Sequence, residues 1–439
     1  MFLIYSLLLT LAFVLMSPLF LLRREKYAAG FRQRLGNYPE FKHDGRKVIW
    51  LHCVSVGETN AARPLVDEIK SNFPDHRLIV STTTKTGQEL AQNIFKDKAD
   101  AVFYFPFDWK FTVRRALHHF QPEIVLLMET EIWPRFLQEA KISGVRAVIV
   151  NGRISPKSFD RYSYVKSLIR RTLLDIDLAL MQTESDAKRI TLLGIESSRV
   201  KTTGNLKFDL SSDESDSWLT YELGERFGIS YDNLLIIAAS THAPEESWVL
   251  EAFARAINKF PEVRLRLMIV PRHPERFYEV AQLVSSFNRK ANSSPLISFA
   301  RRSEAVRQSD KTVKVILLDS IGELRAVYPL AGIVFVGGSM VARGGQSILE
   351  PASMGRAIIT GPYTHNFEHA VRTFLADKAI IQLVDPQGMF SFTALLFEQF
   401  DFLIRNDQVR NQLGQNALAV MTANSGATKN TIENLKLLI

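Results

Sequence analysis

Apolar and polar positions divide the chain into two rounds of the same alternation. In the first, nearly unbroken apolar runs at Val48–Ser55, Arg77–Thr84, Ala101–Pro106, Glu123–Met128, Arg146–Asn151 and Leu178–Gln182 predict strands. Between them, apolar residues at helical spacing predict helices, among them Ala61–Asn72, Gly87–Phe95, Phe111–Phe120 and Phe159–Leu174. Strands that are apolar throughout must be covered on both faces, which indicates parallel sheets wrapped by helices. The Ser- and Asp-rich segment Leu210–Tyr221 breaks the rhythm and predicts a linker. Strands are then expected at Leu234–Ser240, Arg264–Val270, Val313–Leu318, Ile333–Val336 and Ala357–Thr360. Helices are expected at Glu245–Phe260, Glu275–Phe287, Glu323–Leu330 and Phe367–Ala376. The fold class is therefore α/β: two Rossmann-like, doubly wound domains, residues 48–209 and 222–439, joined by the linker 210–221. Ligands of such folds bind in a cleft at the carboxyl ends of the strands, here expected between the two domains.

The amino terminus has another pattern. Met1–Leu22 holds no charged residue, and its polar content is little more than Tyr5, Ser6, Thr10 and Ser17. As a helix rising about 1.5 Å per residue it reaches roughly 33 Å, enough for one bilayer crossing. A cleaved signal peptide wants a basic start and a small-residue cleavage site, whereas here the charges come after the apolar run. Residues 1–22 are expected to be a retained membrane-anchor helix, either spanning the bilayer or lying in one leaflet. In residues 23–47 the basic side chains Arg23, Arg24, Lys26, Arg32, Arg34, Lys42, Arg46 and Lys47 outnumber Glu25, Glu40 and Asp44. This predicts a juxtamembrane segment that meets anionic lipid and puts both domains on the cytoplasmic side.

Composition adds limits. The 439 residues, 46% hydrophobic and 23% charged, suffice for two cores and argue against extensive disorder. The net charge of +8 comes with no nucleic-acid recognition motif, and no nucleic-acid partner is expected. One cysteine, Cys53, excludes an intramolecular disulfide, and its apolar surroundings predict a packing residue.

Candidate chemistry gathers at strand ends. Ser55-Val56-Gly57-Glu58 comes directly after the first strand, so Glu58 stands in the first turn of a helix. A carboxylate there can accept a proton from an incoming hydroxyl, or simply complement the helix dipole. Glu129 and Glu131 end another strand, where capping of the helix at Trp133 is the ordinary reading. Lys207, in Gly204-Asn205-Leu206-Lys207-Phe208-Asp209, can meet negative charge or be merely solvated. In the second half, Arg272 stands after Pro271 at a strand end and suits a phosphate. Asp319-Ser320-Ile321-Gly322-Glu323 has the strand–turn–helix position that favours anions. Gly344-Gly345-Gln346-Ser347-Ile348-Leu349-Glu350 is a glycine-rich approach to a helix, with Glu350 suited to ribose hydroxyls. No Walker loop, nucleophile elbow or paired-cysteine metal site is present. Asp175-Ile176-Asp177 matches a metal motif only formally, and no metal or cofactor is expected.

Taken together, Trp50–Thr59, Met128–Pro134, Gly204–Asp209, Val270–Phe277 and Gly337–Ser339 resemble, in order, the signatures of the lipid A 3-deoxy-D-manno-octulosonic acid (Kdo) transferases. The resemblance implies a GT-B fold and transfer of Kdo from CMP-Kdo to a lipid A precursor at the cytoplasmic face of the bacterial inner membrane. It implies Glu58 as the base and Glu129 and Lys207 as transition-state stabilisers. It implies CMP contacts at Pro271, Arg272, Ile321, Gly322, Glu323, Ser347, Ile348, Leu349 and Glu350. The chain departs from the family where Gln346-Ser347 replaces His-Asn and Ile321 replaces Met. Two other readings stay open: a GT-B transferase or epimerase using a nucleotide diphosphate sugar, and an inactive membrane-bound lipid-binding protein.

Overall fold

The computed structural model describes residues 1–22, 29–209, 214–230, 232–290, 297–386, 388 and 391–439, with backbone alone in 17–22, 214–216 and 288–290. The chain forms two compact units, Met1–Ser211 with Asn424–Ile439, and Ser212–Ala423. Among the described residues each is built on a seven-stranded parallel sheet.

In the first unit the strands are β1 (Lys47–Cys53), β2 (His76–Thr82), β3 (Ala101–Tyr104), β4 (Ile124–Met128), β5 (Arg146–Gly152), β6 (Leu178–Met181) and β7 (Val200–Thr202). Their order is β3-β2-β1-β4-β5-β6-β7, so the direction of winding reverses between β1 and β4. Burial explains the apolar runs. Val48 and Trp50 face one helix-covered core, while Ile49, Leu51 and Cys53 face the other. Cys53 is fully buried, as expected of a packing residue, and burial pushes its thiol well up. The three-residue β7 was not foreseen. The helix expected over Phe159–Leu174 is two, Pro156–Tyr164 and Lys166–Leu173.

The second unit has β8 (Asn233–Thr241), β9 (Arg264–Pro271), β10 (Phe299–Arg301), β11 (Val315–Leu317), β12 (Ile333–Val336), β13 (Ala357–Thr360) and β14 (Ile381–Gln382), in the order β10-β11-β9-β8-β12-β13-β14. Here the winding reverses between β8 and β12. The short strands β10 and β14 left no expectation in the sequence.

Two expected boundaries move. The second domain does not run to Ile439: residues 424–439 return to the first unit. The Asp209 carboxylate holds them there from far along the chain, accepting from the amides of Gly426 (2.7 Å) and Thr428 (2.5 Å) at the start of the helix Ala427–Leu435. That helix buries Ile432 and Leu435 in the core beneath β1. The linker is also shorter than expected. Residues 210–213 lie outside the described residues, and a helix already runs from Glu214 to Phe227.

The amino-terminal helix α1 (Phe2–Leu22) adds nothing to either sheet but docks on the first unit by one stripe. Phe2, Tyr5, Ser6, Leu9 and Phe13, at helical spacing, are partly buried. Tyr5 donates to Asp108 (2.8 Å), Arg135 donates to Ser6 (2.7 Å), and the Trp109 indole donates to Thr10 (3.1 Å). Phe13 packs edge-on to Phe107 and Trp109. The opposite stripe, Leu3, Ile4, Leu7, Leu8, Leu11, Val14 and Leu15, is exposed. Among the described residues no helix is long and apolar enough to cross a membrane. Of the basic segment, Arg23, Arg24 and Lys26 lie outside the described residues. Arg34 is not a free surface charge: it donates to the Ala29 and Thr83 carbonyls and stacks on Tyr104 at 4.9 Å.

Candidate active site

In the first unit the sites predicted after β1 and β4 flank the winding reversal, where α/β sheets place ligands. After β1 the chain turns at Ser55 into the short helix α2 (Val56–Ala61). Glu58, in its first turn, is buried. Its carboxylate accepts from the Val54 amide (2.7 Å) and the Ser55 hydroxyl (2.9 Å). Burial pushes its pKa up to about 7, and the charges of Glu129 and Glu131 push the same way against those two hydrogen bonds. Desolvation therefore outweighs the helix dipole, which on its own favours the charged form and would make Glu58 a weaker base.

Glu129 stands after β4 in the left-handed region (φ 54°), a conformation that costs a non-glycine residue on the order of 1 kcal/mol or more. Its amide is fixed by the Val150 carbonyl at 2.9 Å. Its carboxylate accepts from Lys207 Nζ at 2.8 Å, joining two of the predicted residues. Lys207 sits in a 3-10 turn, Leu206–Phe208, held by Asn151 and Asn205 side chains, which accept from the Leu206 and Lys207 amides at 3.0 Å. Burial also pushes Glu131 up to about 7.

The capping role expected of Glu129 and Glu131 is wrong. Helix α3 (Pro134–Ile142) is capped by Asp108, which accepts from the amides of Arg135 (3.0 Å) and Phe136 (2.7 Å) while also holding Tyr5. Asp108 carried no sequence signal, because its partners lie on other elements. Asp108→Ala leaves buried amides unsatisfied and is expected to cost about 1–3 kcal/mol of stability, measured by denaturant unfolding. Asp175 and Asp177 pair with Arg171 and Lys141, and among the described residues no group of three or more His, Cys, Asp or Glu is placed to hold a metal ion.

In the second unit the predicted residues occupy neighbouring strand ends. Arg272 stands after β9, its amide bonded to the Thr241 carbonyl (3.0 Å) and its side chain exposed. The turn after β11 exposes Ile321 to 79% and puts Gly322 at φ 88° with open space beside it. Glu323 is tied up by Arg302 (2.9 Å) and by the Ser320 hydroxyl. Burial pushes the Glu323 carboxyl up, but these bonds outweigh it and hold it below its ordinary value. Ile348 and Leu349 point inward, so what they offer a ligand is backbone, and the Ser347 hydroxyl accepts from the Leu349 amide at 3.3 Å. Glu350 is half-buried at the start of the helix Leu349–Ser353.

Glu245 was not foreseen from the sequence. Its buried carboxylate accepts from the amides of His242 (2.9 Å), Gly338 (2.7 Å), Ser339 (3.0 Å) and Met340 (2.9 Å), shaping the loop after β12. A Cβ on Gly337 would lie 2.7 Å from Thr241 Cα, so only glycine fits there.

The pattern of the family described as 3-deoxy-D-manno-octulosonic-acid transferase (kdotransferase) matches residues 29–210. The 3-deoxy-D-manno-octulosonic acid transferase of Haemophilus influenzae is 32% identical over 94% of this chain and 92% of its own length. This chain belongs to the 3-deoxy-D-manno-octulosonic acid transferase family. The transferase of Bordetella pertussis is 29% identical over 88% of this chain and 86% of its own. The fold likeness reaches further: a UDP-GlcNAc 2-epimerase from Neisseria meningitidis, 15% identical, matches 89% of this chain and 99% of its own with a TM-score of 0.57. This Kdo transferase is thus a glycosyltransferase with GT-B-type units.

Proposed function

We propose that this Kdo transferase moves Kdo from CMP-Kdo to a lipid A precursor, with Glu58 as the base in a metal-independent, inverting displacement. The observation that carries the reading is the buried Glu58 carboxyl at the winding reversal, pushed up to about 7. A base of that strength is half deprotonated at neutral pH and strong enough to take a hydroxyl proton as the bond forms. The acceptor oxygen bonds to the anomeric carbon, the bond from that carbon to the phosphate oxygen breaks, and Glu58 takes the hydroxyl proton. Lys207, oriented by Glu129, stabilises charge in the transition state. Arg272 balances the phosphate of the departing CMP. Ile321 and Gly322 lie open beside the nucleotide, while Pro271, Glu323, Ile348 and Leu349 contribute backbone and shape. Ser347 and Glu350 take the sugar hydroxyls.

Incubating the purified protein with CMP-Kdo and a lipid A precursor, then weighing the lipid products, tests the reading; no mass increase by Kdo units would end it. A nucleotide diphosphate sugar in place of CMP-Kdo gives no product on this reading. Arg272→Ala removes a charged donor and is expected to cost about 1.5–3 kcal/mol of CMP affinity, roughly 10- to 150-fold in dissociation constant, read by calorimetric titration.

The placement of α1 supports residence at the cytoplasmic face of the inner membrane with the helix in one leaflet. Hydrogen bonds from positions 5, 6 and 10 to the first unit would be carried into the bilayer centre by a spanning helix. Lying flat, α1 keeps them and gives its outer stripe to acyl chains. Replacing Leu7, Leu8 and Leu11 by Ser is expected to move the protein from the membrane fraction to the supernatant without loss of folding, assayed by flotation. Retention of that variant in the membrane fraction would exclude the stripe as the lipid contact.

A further inference from the structure

Three adjacent strand ends of the second unit, those of β9, β8 and β12, converge on Gly338. His242 stands after β8, and its ring lies 5.0 Å from that of His273, which stands after β9 beside Arg272. His242 Nε2 is buried without a hydrogen-bond partner. A Cβ built on Gly338 would stand 3.5 Å from this nitrogen and 3.5 Å from the Gln346 side-chain nitrogen, so the glycine (φ 65°) leaves the space between them open. Arg272 and Arg343 are close enough for their charge to act on His242, and burial, His273 and these two arginines push its pKa down. Both guanidiniums are exposed, and neither has an ion-pair or side-chain hydrogen-bond partner among the described residues. Glu246, the acid that acts on His242 in the other direction, is already held by Arg276 at 2.6 Å.

Free cations gathered around an unpartnered buried nitrogen form a place that lacks an anion. One phosphodiester accounts for one of the two arginines and leaves the second, with His242, unanswered. We infer that His242 and Arg343, beside Gly338, form a second anion subsite that takes the carboxylate of the donor's sugar acid, next to the phosphate held by Arg272. This rests on the CMP-Kdo reading and adds to it the group by which the sugar is told from a neutral one.

The test titrates the full chain with three probes: CMP, a phosphonate-linked CMP–sugar acid, and the same conjugate with its carboxylate converted to an amide. The wild type is expected to bind the acid at least about 10-fold more tightly than the amide. His242→Ala and Arg343→Ala should each remove most of that preference while CMP affinity stays within about twofold, and His242→Gln, which keeps a donor, should restore part of it. Retained CMP binding reports that the unit is folded; if His242→Ala does not fold, the exposed Arg343 decides. An intact preference in Arg343→Ala, or equal losses for CMP and acid in both variants, overturns the subsite while leaving the donor reading standing. A wild type that binds acid and amide alike overturns the subsite too, whereas one that binds none of the three probes overturns the donor reading.

Discussion

Glu58→Gln is expected to lower turnover by at least about 100-fold while leaving CMP affinity unchanged. Glutamine keeps the size of the side chain: its oxygen can accept from the Val54 amide while its NH2 donates to the Ser55 hydroxyl oxygen, so the turn into α2 survives. Only the proton acceptor is lost. Turnover within a few-fold of the wild type would reduce Glu58 to a helix-dipole partner.

The pH dependence sharpens this test. Because the folded carboxyl sits at about 7, the base form is present above that value, and kcat/KM should rise through about pH 7 to a plateau. In Glu58→Gln that rising limb should vanish. Stability moves the opposite way. A carboxyl raised in the folded state binds its proton more tightly than in the unfolded chain. Its contribution is full below its unfolded value and is lost as pH rises to about 7. The Gln variant has no such loss, so its stability relative to the wild type should grow between roughly pH 4.5 and 7. A residue that weakens the folded state at the pH where it works is placed for chemistry rather than for folding.

What the sequence made legible depended on how local the cause was. Val48 to Cys53 is buried on both faces of one sheet, so its apolar run announced a central strand. The edge strands β7, β10 and β14, of three, three and two residues, are too short to carry a pattern. The candidate site divides along the same line. Glu58, Glu129, Lys207 and Arg272 stand directly after strands or in a recognisable turn, and their places could be read. Asp108 acts on α3 from the β3 side, and Glu245 acts on amides 93 to 95 residues further on. Such pairings leave no periodicity behind. The return of residues 424–439 to the first unit was hidden for the same reason, since Asp209 meets Gly426 from 217 residues away.

Lys207→Ala is expected to lower kcat by about 100- to 1,000-fold, again with CMP affinity unchanged. The ammonium lies 2.8 Å from Glu129 and is only partly shielded from solvent, so the pair itself adds little stability and its loss should not unfold the unit. The cost is expected in the transition state, where a preorganised positive charge would be missing. The surroundings of Glu58 add a second effect. The negative charge of Glu129 helps to hold the Glu58 carboxyl up, and Lys207 partly neutralises that charge. Removing Lys207 should therefore move the acid limb of the residual activity to higher pH. Glu129→Gln removes the charge itself and should move the limb to lower pH, although its own turnover also falls because Lys207 loses its guide. Opposite displacements of the limb in the two variants, measured from kcat/KM profiles, would show three side chains acting as one electrostatic unit. Displacements in the same direction, or none, would mean that Glu58 titrates independently of the pair.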